Sequence, residues 1–201
     1  MGIAHCGSQN LTLMRITGGV ARGIPLQTVQ YSGFRPAMDR VRQALFSSLQ
    51  SYGELTGISV LDLFAGSGAY GLEALSRGAS HVVWVEKDRR SLDCLRKNLQ
   101  AVTKSSPRLD AARCRIAAGD VLSWQPGGEQ YDLILCDPPY ETGVNQMEAL
   151  WDALKGWLKP DCRFGVCWET PAENVSQIPA DWQLVRQLGS KGPAMLFMRP
   201  A

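Results

Sequence analysis

From residue 58 onward, short unbroken apolar runs alternate with longer amphipathic stretches. This is the pattern of strands buried on both faces of a parallel sheet and separated by covering helices. The runs predict strands at 58–64, 81–86, 113–117, 131–136 and 163–169. Between them a 3.6-residue period predicts helices over about 69–77, 88–102 and 145–158. The last two apolar runs, 182–188 and 194–198, are separated only by Gly189, Ser190, Lys191, Gly192 and Pro193. No crossover helix fits in that gap, so these two strands are expected to pair antiparallel. An α/β fold results, with a mostly parallel sheet that ends in a hairpin.

The first quarter of the chain reads differently. Residues 15–29 mix β-branched positions with Gly18, Gly19, Gly23 and Pro25, which predicts a short hairpin or extended arm with little core of its own. Next, Met38, Val41, Leu45 and Leu49 form a helical stripe, with Arg40 on the opposite side and Arg42 beside the stripe. Pro36 stands just ahead of the helix start, and Tyr52 and Gly53 close it. A chain of 201 residues holds one full core and a small appendage. The expected division is an extension at 1–13 without fixed structure, an arm and helix at 14–53, and a main domain at 54–201.

Composition narrows the class. Hydrophobic residues at 45% and charged residues at 20% exclude a disordered or fibrous chain. The longest apolar stretches, 58–63 and 162–168, are too short to span a bilayer. The first ten residues lack the basic start and apolar run of a secretion signal, so a cytoplasmic chain is expected, with Met14 an alternative start. Six cysteines at irregular spacing, with only His5 and His81 beside them, predict reduced thiols and no metal site. The net charge is only +2, yet Arg15, Arg22, Arg35, Arg40 and Arg42 face a single acid, Asp39, before Glu54. Phosphate contacts are therefore expected at the amino end. A monomer needs no added assumption.

Two segments carry candidate chemistry. In the first, Asp62, Leu63, Phe64, Ala65, Gly66, Ser67 and Gly68 leave a buried strand, turn through glycines and enter a helix. Such a turn brings backbone close to a ligand. Gly66, Gly68 and Gly71, followed by Glu86 at the next strand end, also satisfy the spacing of a dinucleotide site, so a nicotinamide-dependent oxidoreductase is one reading. Asp62 argues against it, because a carboxylate there opposes a pyrophosphate and suits the ammonium group of S-adenosylmethionine.

The second segment is Asp137-Pro138-Pro139-Tyr140, directly after the fourth strand. Two prolines fix the backbone there, so the Asp137 carboxylate and the Pro138 carbonyl are held as acceptors at the sheet edge. An exocyclic amine on a base is a weak nucleophile, and two fixed acceptors can orient it toward a methyl sulfonium. Tyr140 offers a stacking face. After the third strand, Asp120 can accept from an adenine amine while Val121 packs on the ring, or Asp120 can serve as a helix cap. These residues point to transfer of a methyl group to an amino nitrogen. An adenine N6 in DNA remains a rival target, which the lack of an obvious DNA-recognition domain disfavours.

Arg15-Ile16-Thr17-Gly18-Gly19 with Arg22-Gly23, Arg35-Pro36 with Asp39-Arg40-Val41-Arg42, Asp62 through Gly78, and Asp137 through Tyr140 together resemble the RsmD family of bacterial ribosomal RNA methyltransferases. The resemblance runs from about Arg15 to the carboxyl terminus. It implies a Rossmann-like seven-stranded class I methyltransferase fold, S-adenosylmethionine as cofactor, and guanine N2 of 16S rRNA as target, within a small-subunit assembly particle. By resemblance Asp62, Phe64, Ala65, Gly66, Ser67, Gly68, Glu86, Lys87, Asp120, Val121 and Asp137 surround the cofactor. Asp137, Pro138, Pro139 and Tyr140 face the flipped base, and Arg15, Arg22, Arg35, Asp39, Arg40 and Tyr140 meet the RNA. One departure stands out: Ala37 and Met38 occupy positions where family members carry small hydroxylated residues.

Overall fold

A computed structural model of the chain describes residues 14–28, 38–139, 142, 144–171, 174, 178–189 and 193–201, with the backbone alone at 38, 39, 144, 145 and 193. The extension at 1–13, Arg35, Pro36, Ala37 and Tyr140 lie outside the described residues.

In chain order the elements are α1 (Met38–Tyr52), β1 (Ser59–Leu63), α2 (Ala69–Ser76), β2 (His81–Glu86), α3 (Arg89–Lys104), β3 (Cys114–Ala118), β4 (Leu133–Cys136), α4 (Val144–Trp157), β5 (Gly165–Pro171), β6 (Trp182–Leu188) and β7 (Pro193–Pro200). A 3-10 turn, Ala111–Arg113, leads into β3. The strands form one seven-stranded sheet in the order β3-β2-β1-β4-β5-β7-β6. The first five strands pair parallel and β7 pairs antiparallel with both β5 and β6, so the expected closing hairpin is present. Its last strand lies inside the sheet and β6 forms the edge. Tyr131 makes only an isolated bridge to Leu158, which is why β4 is shorter than the apolar run that predicted it. Among the described residues no helix is long and apolar enough to cross a membrane.

The central strands β1, β2 and β4 are buried on both faces, and their residues alternate between two cores as the two-residue period of a strand requires. Val60, Val82, Trp84, Leu133 and Leu135 pack with α1, α2 and α3. Leu61, Leu63, Val83, Val85, Ile134 and Cys136 pack on the α4 side. Asp62 lies on the first of these faces, beside Trp84. The five described cysteines are free thiols, and those at 94, 136 and 167 are buried.

The amino-terminal arm does not stand apart. Ile16 donates to the Ile24 carbonyl at 3.0 Å, and Leu26 to that of Met14 at 2.7 Å. Met14, Ile16, Ala21 and Leu26 join the same core as α1 and α2. Gly18 and Gly19 make this contact possible, since a Cβ on Gly19, at φ +77°, would fall 1.9 Å from the Ser76 carbonyl oxygen. The arm thereby caps the end of α2: Val20 donates to the Ser76 carbonyl at 2.8 Å, and the Ser76 hydroxyl donates to the Gly18 carbonyl at 2.6 Å. On α1 the buried face runs through Arg42, Leu45, Phe46 and Leu49, rotated from the predicted stripe because Arg42 points inward.

Candidate active site

Leu63 of β1 is in register with Cys136 of β4, so Phe64 and Asp137 leave adjacent strands at the same carboxyl edge. Neighbouring strands lie ~4.8 Å apart. The chain runs from β1 toward β2 on one side, and β4 flanks β1 on the other. This reversal of strand order is where open α/β sheets bind their ligands.

The glycine turn is tied down by its own amides. Phe64 adopts a left-handed backbone at φ 55°, a conformation costing roughly 1–2 kcal/mol for a residue with a Cβ. Beyond it, Ala65 donates to the Val85 carbonyl at 3.2 Å and Gly68 to that of Ala65 at 2.7 Å. Gly66 donates to Glu86 Oε2 at 2.7 Å and Gly71 to Asp62 Oδ2 at 2.8 Å. Glu86 Oε1 also takes the amides of Lys87 and Asp88, at 2.8 and 2.7 Å. These N–H groups are spent on protein oxygens, four of them on carboxylates. A pyrophosphate cradle needs them directed at the ligand, so the dinucleotide reading loses its physical basis here.

The three glycines do different work. A Cβ on Gly66 would meet nothing closer than the Phe64 carbonyl at 4.0 Å, which leaves this position open to a ligand. On Gly68 it would strike Leu95 Cδ1 at 2.0 Å, and on Gly71 the Trp84 indole nitrogen at 2.3 Å. These latter two let α2 sit against β2 and α3.

Asp62 is 2% exposed. Burial raises its pKa well above the ordinary carboxylate value, and the charges of Asp137 and Glu86 add to that, against the hydrogen bonds from Gly71 and Trp84. Asp120 differs: a hydrogen bond from Lys87 at 2.9 Å holds its pKa below the usual range. That pair is solvated, with side chains 61% and 39% exposed, and such pairs contribute only ~0–1 kcal/mol. It can rearrange around a ligand at little cost. Val121 beside it is buried. Asp120 caps no helix; it closes a turn by accepting from Leu122 at 3.1 Å.

At the β4 tip Pro138 is buried, Pro139 exposed and Asp137 half-buried. The Pro139 carbonyl accepts the Thr142 amide at 3.0 Å and its hydroxyl at 2.8 Å, which closes the turn. The Asp137 charge acts on Asp62, Tyr70 and Cys136.

Of the arginines expected to meet phosphate, Arg15, Arg22 and Arg40 are exposed. Arg42 is withdrawn from that set: it is buried against Glu73 at 3.3 Å, and it donates to the Arg15 carbonyl. Glu73, fully buried, also accepts from the Thr17 amide at 2.8 Å, the Thr17 hydroxyl at 2.7 Å and Arg77 at 2.7 Å. Asn98 of α3 makes a second tie, pairing with the Gln27 backbone at 2.8 and 2.9 Å and donating to the Ser67 carbonyl at 2.9 Å. Sequence reasoning missed both residues. The available signal was a lone polar residue among apolar helix positions, which when buried demands partners. Tyr70 and Glu169, hydrogen-bonded at 3.1 Å, were missed as well.

Toward the carboxyl edge stand the acceptors Asp62, next to last in β1, Glu86, the last residue of β2, and Asp120, two residues past β3. Lys87, next to Glu86, is paired with Asp120. This set fits a ligand with an ammonium, a ribose diol and an aromatic amine, over an open glycine backbone. It does not fit a phosphate. Sheet order, glycine turn and the Asp-Pro-Pro turn beside it define a class I methyltransferase fold.

The chain belongs to the family described as Conserved hypothetical protein 95, which matches residues 14–197, and this bears out the RsmD resemblance. A relative in Escherichia coli, named Ribosomal RNA small subunit methyltransferase D, is 35% identical over 91% of this chain and 86% of its own length. The solved structure of the Escherichia coli protein yhhF superposes with a TM-score of 0.75 at 30% identity, covering 94% of this chain and 98% of that one. Magnesium protoporphyrin IX methyltransferase from Synechocystis, solved with S-adenosylmethionine bound, shares the fold alone. Its TM-score is 0.67 at 12% identity, over 87% of each chain.

Proposed function

We propose that this chain transfers a methyl group from S-adenosylmethionine to the exocyclic N2 of one guanine in 16S rRNA, within a small-subunit assembly particle. The chain is a methyltransferase of ribosomal RNA and S-adenosylmethionine is its donor, as the named relatives and the shared fold support. When bound, the cofactor supplies an electrophilic methyl on a sulfonium. Asp62 meets its ammonium group, Glu86 the ribose hydroxyls, and Asp120 and Val121 the adenine. Asp137 accepts one hydrogen of the target amine and the Pro138 carbonyl the other, which directs the nitrogen lone pair toward the methyl carbon. Tyr140 stacks on the base. Arg15, Arg22, Arg35 and Arg40 hold phosphates, and the domain at 54–201 carries the chemistry.

The observation that carries this reading is the adjacency of β1 and β4, which puts a proline-fixed carboxylate beside the glycine turn. The test supplies labelled cofactor with unmodified small-subunit particles and with naked 16S rRNA, then identifies the labelled nucleoside. N2-methylguanosine is expected, from the particle more than from the RNA. Asp137→Ala should lower turnover by ~10²–10³-fold while leaving cofactor affinity nearly unchanged. Label in N6-methyladenosine, or near-normal turnover of Asp137→Ala, would overturn the assignment.

A further inference from the structure

Trp168 of β5 is in register with Cys136 of β4, so Glu169 stands on the strand next to Asp137. Glu169 lines a cavity of about 620 Å³ whose walls also include Pro138, Pro139, Trp151, Trp168 and Ile178, and Asp137 immediately precedes the two wall prolines in the chain. That volume falls in the roughly 300–1,000 Å³ range of pockets that take a small ligand. Prolines, indoles, Glu148 and Glu169 are among its lining residues, a combination suited to a flat aromatic ring bearing hydrogen-bond donors on one edge. Glu148, from α4, is exposed.

The two candidate purines present opposite chemistry beside their amines. In guanine the neighbour of the N2 amine is N1–H, a donor. In adenine the neighbour of the N6 amine is N1, a bare lone pair. A carboxylate accepts the first and repels the second.

We propose that this cavity seats the target base and that Glu169 accepts guanine N1–H while Asp137 holds the N2 amine, which makes Glu169 the residue that selects guanine over adenine. Tyr70 is the positioning residue: from the first turn of α2 its hydroxyl donates to Glu169 Oε2 at 3.1 Å. Burial and the Glu169 charge hold the Tyr70 phenol well above its ordinary pKa, so it stays a donor. A carboxylate accepts several donors at once, so Tyr70 orients Glu169 without using it up. This inference rests on the guanine N2 reading.

The test uses the full chain saturated with S-adenosylhomocysteine, which blocks nucleosides from the cofactor site. Guanosine and adenosine are titrated in turn and tryptophan emission is followed, since Trp151 and Trp168, stacked at 4.0 Å, line the cavity. Guanosine should bind at least ~10-fold more tightly than adenosine, the worth of a hydrogen bond to a charged acceptor. In Glu169→Gln, whose amide can also donate to adenine N1, the gap should close to within about threefold. Tyr70→Phe should weaken guanosine binding and leave adenosine unchanged, and it carries the test if Glu169→Gln does not fold. Equal affinities in the native protein, no saturable signal with guanosine, or an unchanged preference in a folded Glu169→Gln would overturn the proposal. If the native protein still makes N2-methylguanosine in RNA, only the pocket assignment falls; a different labelled base overturns the N2 reading itself.

Discussion

Replacing Glu73 by alanine removes the carboxylate that ties the arm to the main domain. Its side chain is 0% exposed, and it faces Arg42 and Arg77, whose side chains are 1% and 7% exposed. The variant keeps both guanidinium groups in the interior without this countercharge, and it strips the Thr17 amide and hydroxyl of their acceptor. Breaking a buried ion pair by removing one partner costs about 3–5 kcal/mol. A domain of this size is stable by only ~5–15 kcal/mol, so the loss is a large share of the whole. At about 2–4 °C per kcal/mol the melting temperature should drop by roughly 6–20 °C. Glu73→Gln retains one acceptor oxygen and should fall in between. Thermal melting followed by circular dichroism measures the loss, and limited proteolysis should show cleavage between residues 17 and 22 appearing first. A fall of less than about 2 °C with the arm still protected would refute the view that Glu73 is its anchor.

Two further perturbations separate stability from chemistry at the sheet edge. The raised pKa of Asp62 means that folding favours its protonated form, so its contribution is full below the ordinary value of 3.8 and is lost as pH rises through the elevated value. Without cofactor, Asp62→Asn should therefore be more stable than the native protein at neutral pH, with the gap closing toward pH 3.8, while cofactor affinity falls ~10-fold or more. Urea denaturation across pH checks the sign, and a less stable variant at neutral pH would contradict it. Gly68→Ala places a methyl 2.0 Å from Leu95 Cδ1 at φ +78°, and should cost ~2–5 kcal/mol from backbone strain and overpacking together. Gly127→Ala, at φ +67° with open space around it, should cost only the ~1–2 kcal/mol backbone part. Equal melting temperatures for the two would show that packing against Leu95 does not matter.

The strands β1, β2, β4 and β5 were legible because burial on both faces leaves each largely apolar, and the closing hairpin because five residues cannot hold a crossover. Element ends were less so. Tyr131 continues the apolar run into β4, yet it bridges Leu158 and stays out of the ladder. The buried face of α1 was misjudged because Arg42 takes a core position, and a hydrophobic pattern assigns a charge to solvent unless its partner is known. That partner is Glu73, 31 residues away on another helix, and no periodicity links the two.

The site divides along the same line. Its acceptors were visible because each sits at or just past the end of a strand, Asp137 directly ahead of the two prolines, where local sequence fixes the backbone. What could not be read locally is which strand ends are neighbours. Glu169 lies within β5, and only the β4–β5 pairing sets it beside Asp137. Tyr70 reaches Glu169 across 99 residues of sequence. Asn98 makes the point from the other side: it ties the Gln27 backbone of the arm to the Ser67 carbonyl of the glycine turn, so two segments far apart in the chain are held by one amide. One buried side chain thus joins the arm to the turn, and displacing either segment from α3 costs at least one of its hydrogen bonds.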